Sequence, residues 1–303
     1  MSSTKLQALA SAGVQNPANA QVEQLESRFR QVSRRFSKNK MAVIGLFFCI
    51  LLFAVGLFAP LLQPYPPDQV AGDFSAPPSS AHWLGTDQIG RDVLSRLISA
   101  AQVSLLVGFA TVAIYVAFGT VVGLLSAYYG GWIDTLVMRI TDMFMAFPFM
   151  MVILVVVSVV GPSLFTIIAV LALFSWPSIA RLVRGSVLSL KQADHVRAAV
   201  SLGLKTPRII RQHIFPGALA PIIVNATFGV ASAILTESGL SFLGMGVQPP
   251  TASWGNMLSE AQSISVLSGQ PWLWLPAGMA ILLTVLAINF VGDGLRDALD
   301  PKQ

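Results

Sequence analysis

The chain has 303 residues, 54% hydrophobic and 11% charged, with a formal net charge of +5. An average soluble domain is ~25% charged. Apolar surface on this scale cannot be hidden in a soluble core of this size, so the bilayer must be the solvent for much of it, and the single cysteine, Cys49, excludes an internal disulfide or a CxxC centre.

Residues 1–27 are rich in Ser, Ala, Gln and Asn and read as disordered. Arg28, Arg30, Arg34, Arg35, Lys38 and Lys40 then form a basic cluster. Such a cluster attracts anionic membrane lipid and holds the tail in the cytoplasm, and no nucleic-acid partner is expected for a tail that leads into a membrane span. The first apolar run, 41–62, is too long for a signal-peptide core and lacks a small-residue cleavage pattern, so it reads as a retained span. Further runs long enough to cross a bilayer lie at 98–127, 133–160, 164–183, 217–240 and 272–292. The expected fold is therefore an all-α polytopic membrane protein with six transmembrane helices. The tail 1–40 and first helix 41–62 precede an outer segment, 63–97. A five-helix core, 98–292, and a tail, 293–303, follow. Gly161-Pro162-Ser163 makes spans three and four a tight hairpin.

With the N-terminus inside, the inner segments plus Arg181 hold 16 of the 19 Lys and Arg residues, and the outer ones hold Arg91 and Arg96. That asymmetry predicts cytoplasmic termini. The prolines at 64, 66, 67, 77 and 78 predict an extended outer segment, and residues 93–98 suit an amphipathic helix lying at the interface or leading into span two. The second outer segment, 241–271, reads as a long ordered loop. Within the spans, Arg139 and Asp142 are placed to pair at i,i+3. Glu237, near the outer end of span five, reads as a path-lining group or as a headgroup-level or interhelical carboxylate. Gly119 and Gly123 form a GxxxG pair for close helix packing, inside this subunit or against another.

The most informative segment is the cytoplasmic loop 184–216, with six Lys or Arg. It reads as two short helices. The first ends near Ser201 with Gly203 in the left-handed conformation. The second has Thr206 as N-cap and Pro207 in its first turn, and Pro216 ends it. Small alanines with basic flanks suit either docking in a groove of another protein or lying on lipid headgroups. His82, His195 and His213 lack metal-site spacing, so no metal site is expected. GxSxG, HExxH and GxxxxGK[ST] are all absent, which leaves no built-in hydrolase or P-loop ATPase.

Ala198-Ala199-x-x-x-Gly203, continuing to Ile214-Phe215-Pro216, resembles the EAA loop of binding-protein-dependent ABC importer permeases. Leu84-Gly85-Thr86-Asp87 with Gly90-Arg91-Asp92, Leu240 to Pro250 with Trp254-Gly255, and Gly292 to Asp297 with Asp300-Pro301 resemble the C-type permeases of dipeptide, oligopeptide and nickel importers. The resemblance implies a type I ABC importer permease in the bacterial inner membrane. It also implies a sister B-type permease, two cytoplasmic ATPases and a periplasmic substrate-binding protein. No cofactor is expected on this chain, since ATP and Mg would sit on the ATPases. Ala198, Ala199, Gly203, Pro207 and Arg208 would couple to the ATPase, with both alanines facing its groove. Arg197 stands where many relatives have glutamate. The alternative class is a secondary transporter or channel, which would need ion-coupling carboxylates such as Asp142 or Glu237 near the bilayer centre.

Overall fold

The computed structural model describes residues 30–299; the expected disorder of 1–27, Arg28 and the Asp300-Pro301 motif lie outside them. A short helix, α1 (30–38), carries most of the basic cluster. Asn39 caps the first span, α2 (Lys40–Leu57), by accepting the Ala42 amide at 3.2 Å. Phe58 and Pro60 break the run, leaving a single turn, Ala59–Leu62.

The second span, α3 (Val93–Tyr129), has 37 residues, about 55 Å at the α-helical rise. It starts before the apolar run because Asp92 caps it, accepting the Ser95 amide at 2.8 Å and the Ser95 hydroxyl at 2.7 Å. The amphipathic stretch at 93–98 is therefore the entry into the span. The region expected to be one helix, 133–160, is two: α4 (Gly131–Ala146) and α5 (Phe149–Val160), bent by 82°. The break follows from Pro148, which pushes Phe147 into extended geometry at φ −94°, ψ 145°. Ser163 then caps α6 (Leu164–Leu190), and the expected α5–α6 hairpin turns at Gly161, φ +99°. Among the described residues, five helices are long and apolar enough to span a membrane, six if the bent pair counts as one.

The loop helix α7 (Asp194–Ser201) leads into α8, a continuous helix over Thr206–Phe242. Two loop expectations are corrected here. Lys205, not Thr206, takes the N-cap position. Nor does Pro216 end the helix. A π-helical turn over Ile210–Ile214 carries the chain through, with the Phe215 amide bonded to the Ile210 carbonyl. Proline lacks a donor and crowds the preceding turn, and the wider turn just before Pro216 accommodates it. Short helices α9 (Trp254–Leu258) and α10 (Ile264–Gly269) organise the outer loop before the last span, α11 (Pro271–Leu299).

The core is built on small residues at helix crossings. A Cβ at Gly119 would lie 2.7 Å from the Trp176 carbonyl and collide with the Ile179 side chain, and one at Gly123 would collide with the Ala180 carbonyl. The GxxxG pair thus seats α3 on α6 inside this chain. Gly45 seats α2 on α11, where a Cβ would lie 2.6 Å from the Ala287 carbonyl. Only 17% of the α2 apolar window is buried, so α2 sits at the periphery. Its outward residues, such as Phe47, Ile50 and Phe53, are exposed apolar groups suited to lipid.

The outer segment is folded rather than extended, because Asp87 gathers donors around itself. Its carboxylate accepts the Ile89 and Arg91 amides at 3.0 and 2.9 Å and Arg91 Nε at 2.7 Å, with Arg96 Nε 3.6 Å away. His82 Nδ1 lies 2.9 Å from Asp92 Oδ1, below the helix start that Asp92 caps. The two outer segments meet where Glu260, on the second, shares a small cleft with Asp87 and Arg96. Burial pushes the Glu260 carboxyl above its ordinary range and the Asp87 charge adds to this, while Arg91 and Arg96 oppose it.

Candidate functional site

The loop 184–216 is bolted to the membrane helices at two points. Arg184 donates to both Asp134 carboxylate oxygens at 2.7 Å, and the Ser126 hydroxyl donates to Asp134 at 2.6 Å. Lys191 Nζ donates to the Ala127 and Tyr128 carbonyls at 3.1 and 2.8 Å. These are carbonyls of the last turn of α3, which have no partner within the helix, and a cation there also meets the negative end of the helix dipole. Sequence reasoning missed Asp134, Arg184 and Lys191. A lysine shortly after one helix and an acid just after the start of another were the available signals.

Within the loop, Gly203 has φ +73°, and the Leu204 amide bonds to the Ala199 carbonyl at 3.2 Å. This is the left-handed cap expected from sequence. The paired alanines do not share a face. Ala199 is buried with Val196, Ile209 and Ile214, while Ala198 points outward. Adjacent helical residues are ~100° apart, so one must turn in when its neighbour turns out. The outward surface also holds Val200, Leu202, Pro207 and four cations: Arg197, Lys205, Arg208 and Arg211. Arg208 Nε donates to Gln212 at 3.0 Å. Among the described residues, none of the four has a carboxylate within ion-pair distance.

The charged residues singled out in the spans do not converge. Asp142 binds Arg181 of α6 at 2.7 Å, whereas Arg139 is 4.0 Å from it and largely exposed. Glu237 is fully buried. Its Oε1 accepts the Ser241 and Ser253 hydroxyls at 2.6 and 2.9 Å, which ties α8 to the outer loop. Its burial and its serine partners fit the interhelical alternative among its sequence readings.

A different set of residues lines a cavity of about 440 Å³ between α3, α6, α8 and the α4–α5 elbow. Phe144 and Phe147 at the elbow form one wall. No lining residue is charged. A second groove of about 460 Å³ shares Asn225 and Phe228 with it and extends to Arg296 on α11.

A family model described as the binding-protein-dependent transport system inner membrane component matches residues 119–303. The chain belongs to this family. The permease also matches, over residues 27–78, a model for the N-terminal transmembrane domain of oligopeptide transport permease C. It is 42% identical to a dipeptide transport system permease protein, DppC, of Alkalihalophilus pseudofirmus, over 91% of this chain and 90% of the relative. It is 43% identical to a glutathione transport system permease protein, GsiD, of Escherichia coli O6:K15:H31, over 92% of each chain. Among solved structures it resembles a chain of the MetNI methionine ABC transporter in an inward-facing conformation. That match has a TM-score of 0.54 and 18% identity, and covers 68% of this chain and 97% of the other. The ABC importer permease fold and a multi-pass place in the inner membrane follow.

Proposed function

We propose that this permease forms half of the path of an ATP-driven importer of dipeptides, with a sister B-type permease as the other half and both termini in the cytoplasm. A periplasmic binding protein delivers the peptide. Two cytoplasmic ATPases bind ATP and Mg, so this chain has no catalytic role. The relatives' names, dipeptide and glutathione permeases, support a short peptide as cargo.

The observation that carries the reading is the loop 184–216. It presents four cations without carboxylate partners beside the exposed Leu202, 81% accessible, and is fixed at its base by Arg184 and Lys191. A surface of this kind suits an acidic, partly apolar cleft in another protein. Ala198, Pro207 and Arg208 meet the ATPase directly; Ala199 and Gly203 act by holding the helix and its turn. Each state of the transporter buries different helix contacts, and ATP drives one of them by closing the ATPases on this loop. The test is co-purification in mild detergent. The chain should travel with ATPase subunits, and purification without any would sink the reading.

A further inference from the structure

The 440 Å³ cavity holds an unusual set of polar groups. The Thr111 and Tyr115 hydroxyls, the Ser175 and Ser232 hydroxyls and the Asn225 amide all line it, and none bonds to another group among the described residues. Thr111 is 1% exposed and its Oγ1 is orphaned. Other lining hydroxyls behave differently: Ser178 and Thr236 bond back to carbonyls of their own helices at 2.9 and 2.8 Å. Buried polar groups without partners cost free energy unless water or a ligand satisfies them. The Tyr115 hydroxyl is also held in place by a missing side chain, because a Cβ at Gly229 would run into it.

We propose that this cavity is the peptide half-site of the path. It binds the peptide main chain through these five uncharged groups, with Phe144, Phe147 and Phe174 supplying apolar contact to side chains. The inference rests on the importer reading above. An amide and four hydroxyls each donate and accept, which matches the alternating N–H and C=O of a short peptide whatever its sequence. An acyl chain would leave all five unsatisfied. No charged side chain lines the cavity. The site is therefore blind to the charge of the peptide side chain.

The test uses the assembled importer in proteoliposomes at saturating binding protein, with two labelled dipeptides, one bearing lysine and one aspartate. The binding protein is common to all variants, so changes in the lysine-to-aspartate uptake ratio report the cavity. Thr111→Val and Tyr115→Phe should slow both peptides together and leave the ratio unchanged. Ser232→Asp, at an exposed lining position, should shift the ratio roughly tenfold toward the lysine peptide, and Ser232→Lys roughly tenfold the other way. Asn225→Asp provides a second charged variant if either fails to assemble. An unchanged ratio in all charged variants, with normal wild-type uptake, overturns the cavity assignment alone. A wild-type complex that imports neither peptide overturns the importer reading and this inference with it.

Discussion

Glu237 has no exposed surface, yet one of its oxygens has no partner and the other gathers two serine hydroxyls. Glu237→Gln keeps an acceptor in place and should change thermal stability little. Glu237→Leu strands both serines and should cost about 1–3 kcal/mol, seen as a lower melting temperature in detergent. Glu260 carries a pH dependence. Its folded pKa is raised above the ordinary 4.5, so the folded state binds the extra proton. Stability from this group is full below the ordinary value and is lost as pH rises through the raised one. Glu260→Gln should flatten that slope, measured as hydrogen exchange of the outer loop against pH. The cavity residues illustrate why single positions are hard to read. Thr236 and Thr111 are the same residue type in similar apolar runs, but only Thr236 bonds to its own helix. Which hydroxyl is left over depends on rotamer and neighbours, and neither is written in the spacing.

The loop helix α7 depends on its terminal glycine. Nothing lies within 4 Å of a Cβ at Gly203, so a substitution there meets backbone strain at φ +73° rather than a clash. Gly203→Val should cost about 1–2 kcal/mol locally. It should lower peptide taken up per ATP hydrolysed while leaving membrane insertion intact, and Gly203→Asn should retain more coupling because asparagine tolerates this conformation. Normal uptake per ATP in the valine variant would count against the turn. The turn was legible in sequence because its constraint is local to one residue. The 82° elbow was not, because the overall apolar content of 133–160 read as one span and hid the backbone effect of Pro148. Proline gave the opposite error at position 216, where a π turn absorbed what sequence reading took for a stop.

For the whole molecule, the five clear spans and their order were legible because lipid demands long apolar helices and loops cannot hide among them. The outer segment was misread as extended because its fold hangs on Asp87, a contact centre that no periodicity marks. Charge at the opposite end, on the loop 184–216, offers a test of the proposed assembly. Arg208→Glu with Arg211→Glu should weaken association with the ATPases at least tenfold, and raising the salt concentration should weaken the wild-type complex too, since exposed charges are screened within ~10 Å. Pull-down across a salt series measures both. The continuity of α8 through its π turn has a mechanical consequence. The segment that begins at Pro207 and the segment that carries Asn225 and Ser232 past the cavity are one continuous helix of 37 residues, about 55 Å long. With its fulcrum at the loop, a tilt of about 5° sweeps the far end through roughly 5 Å. On the importer reading proposed above, such leverage turns a small stroke at the loop end into a displacement the size of a side chain at the other.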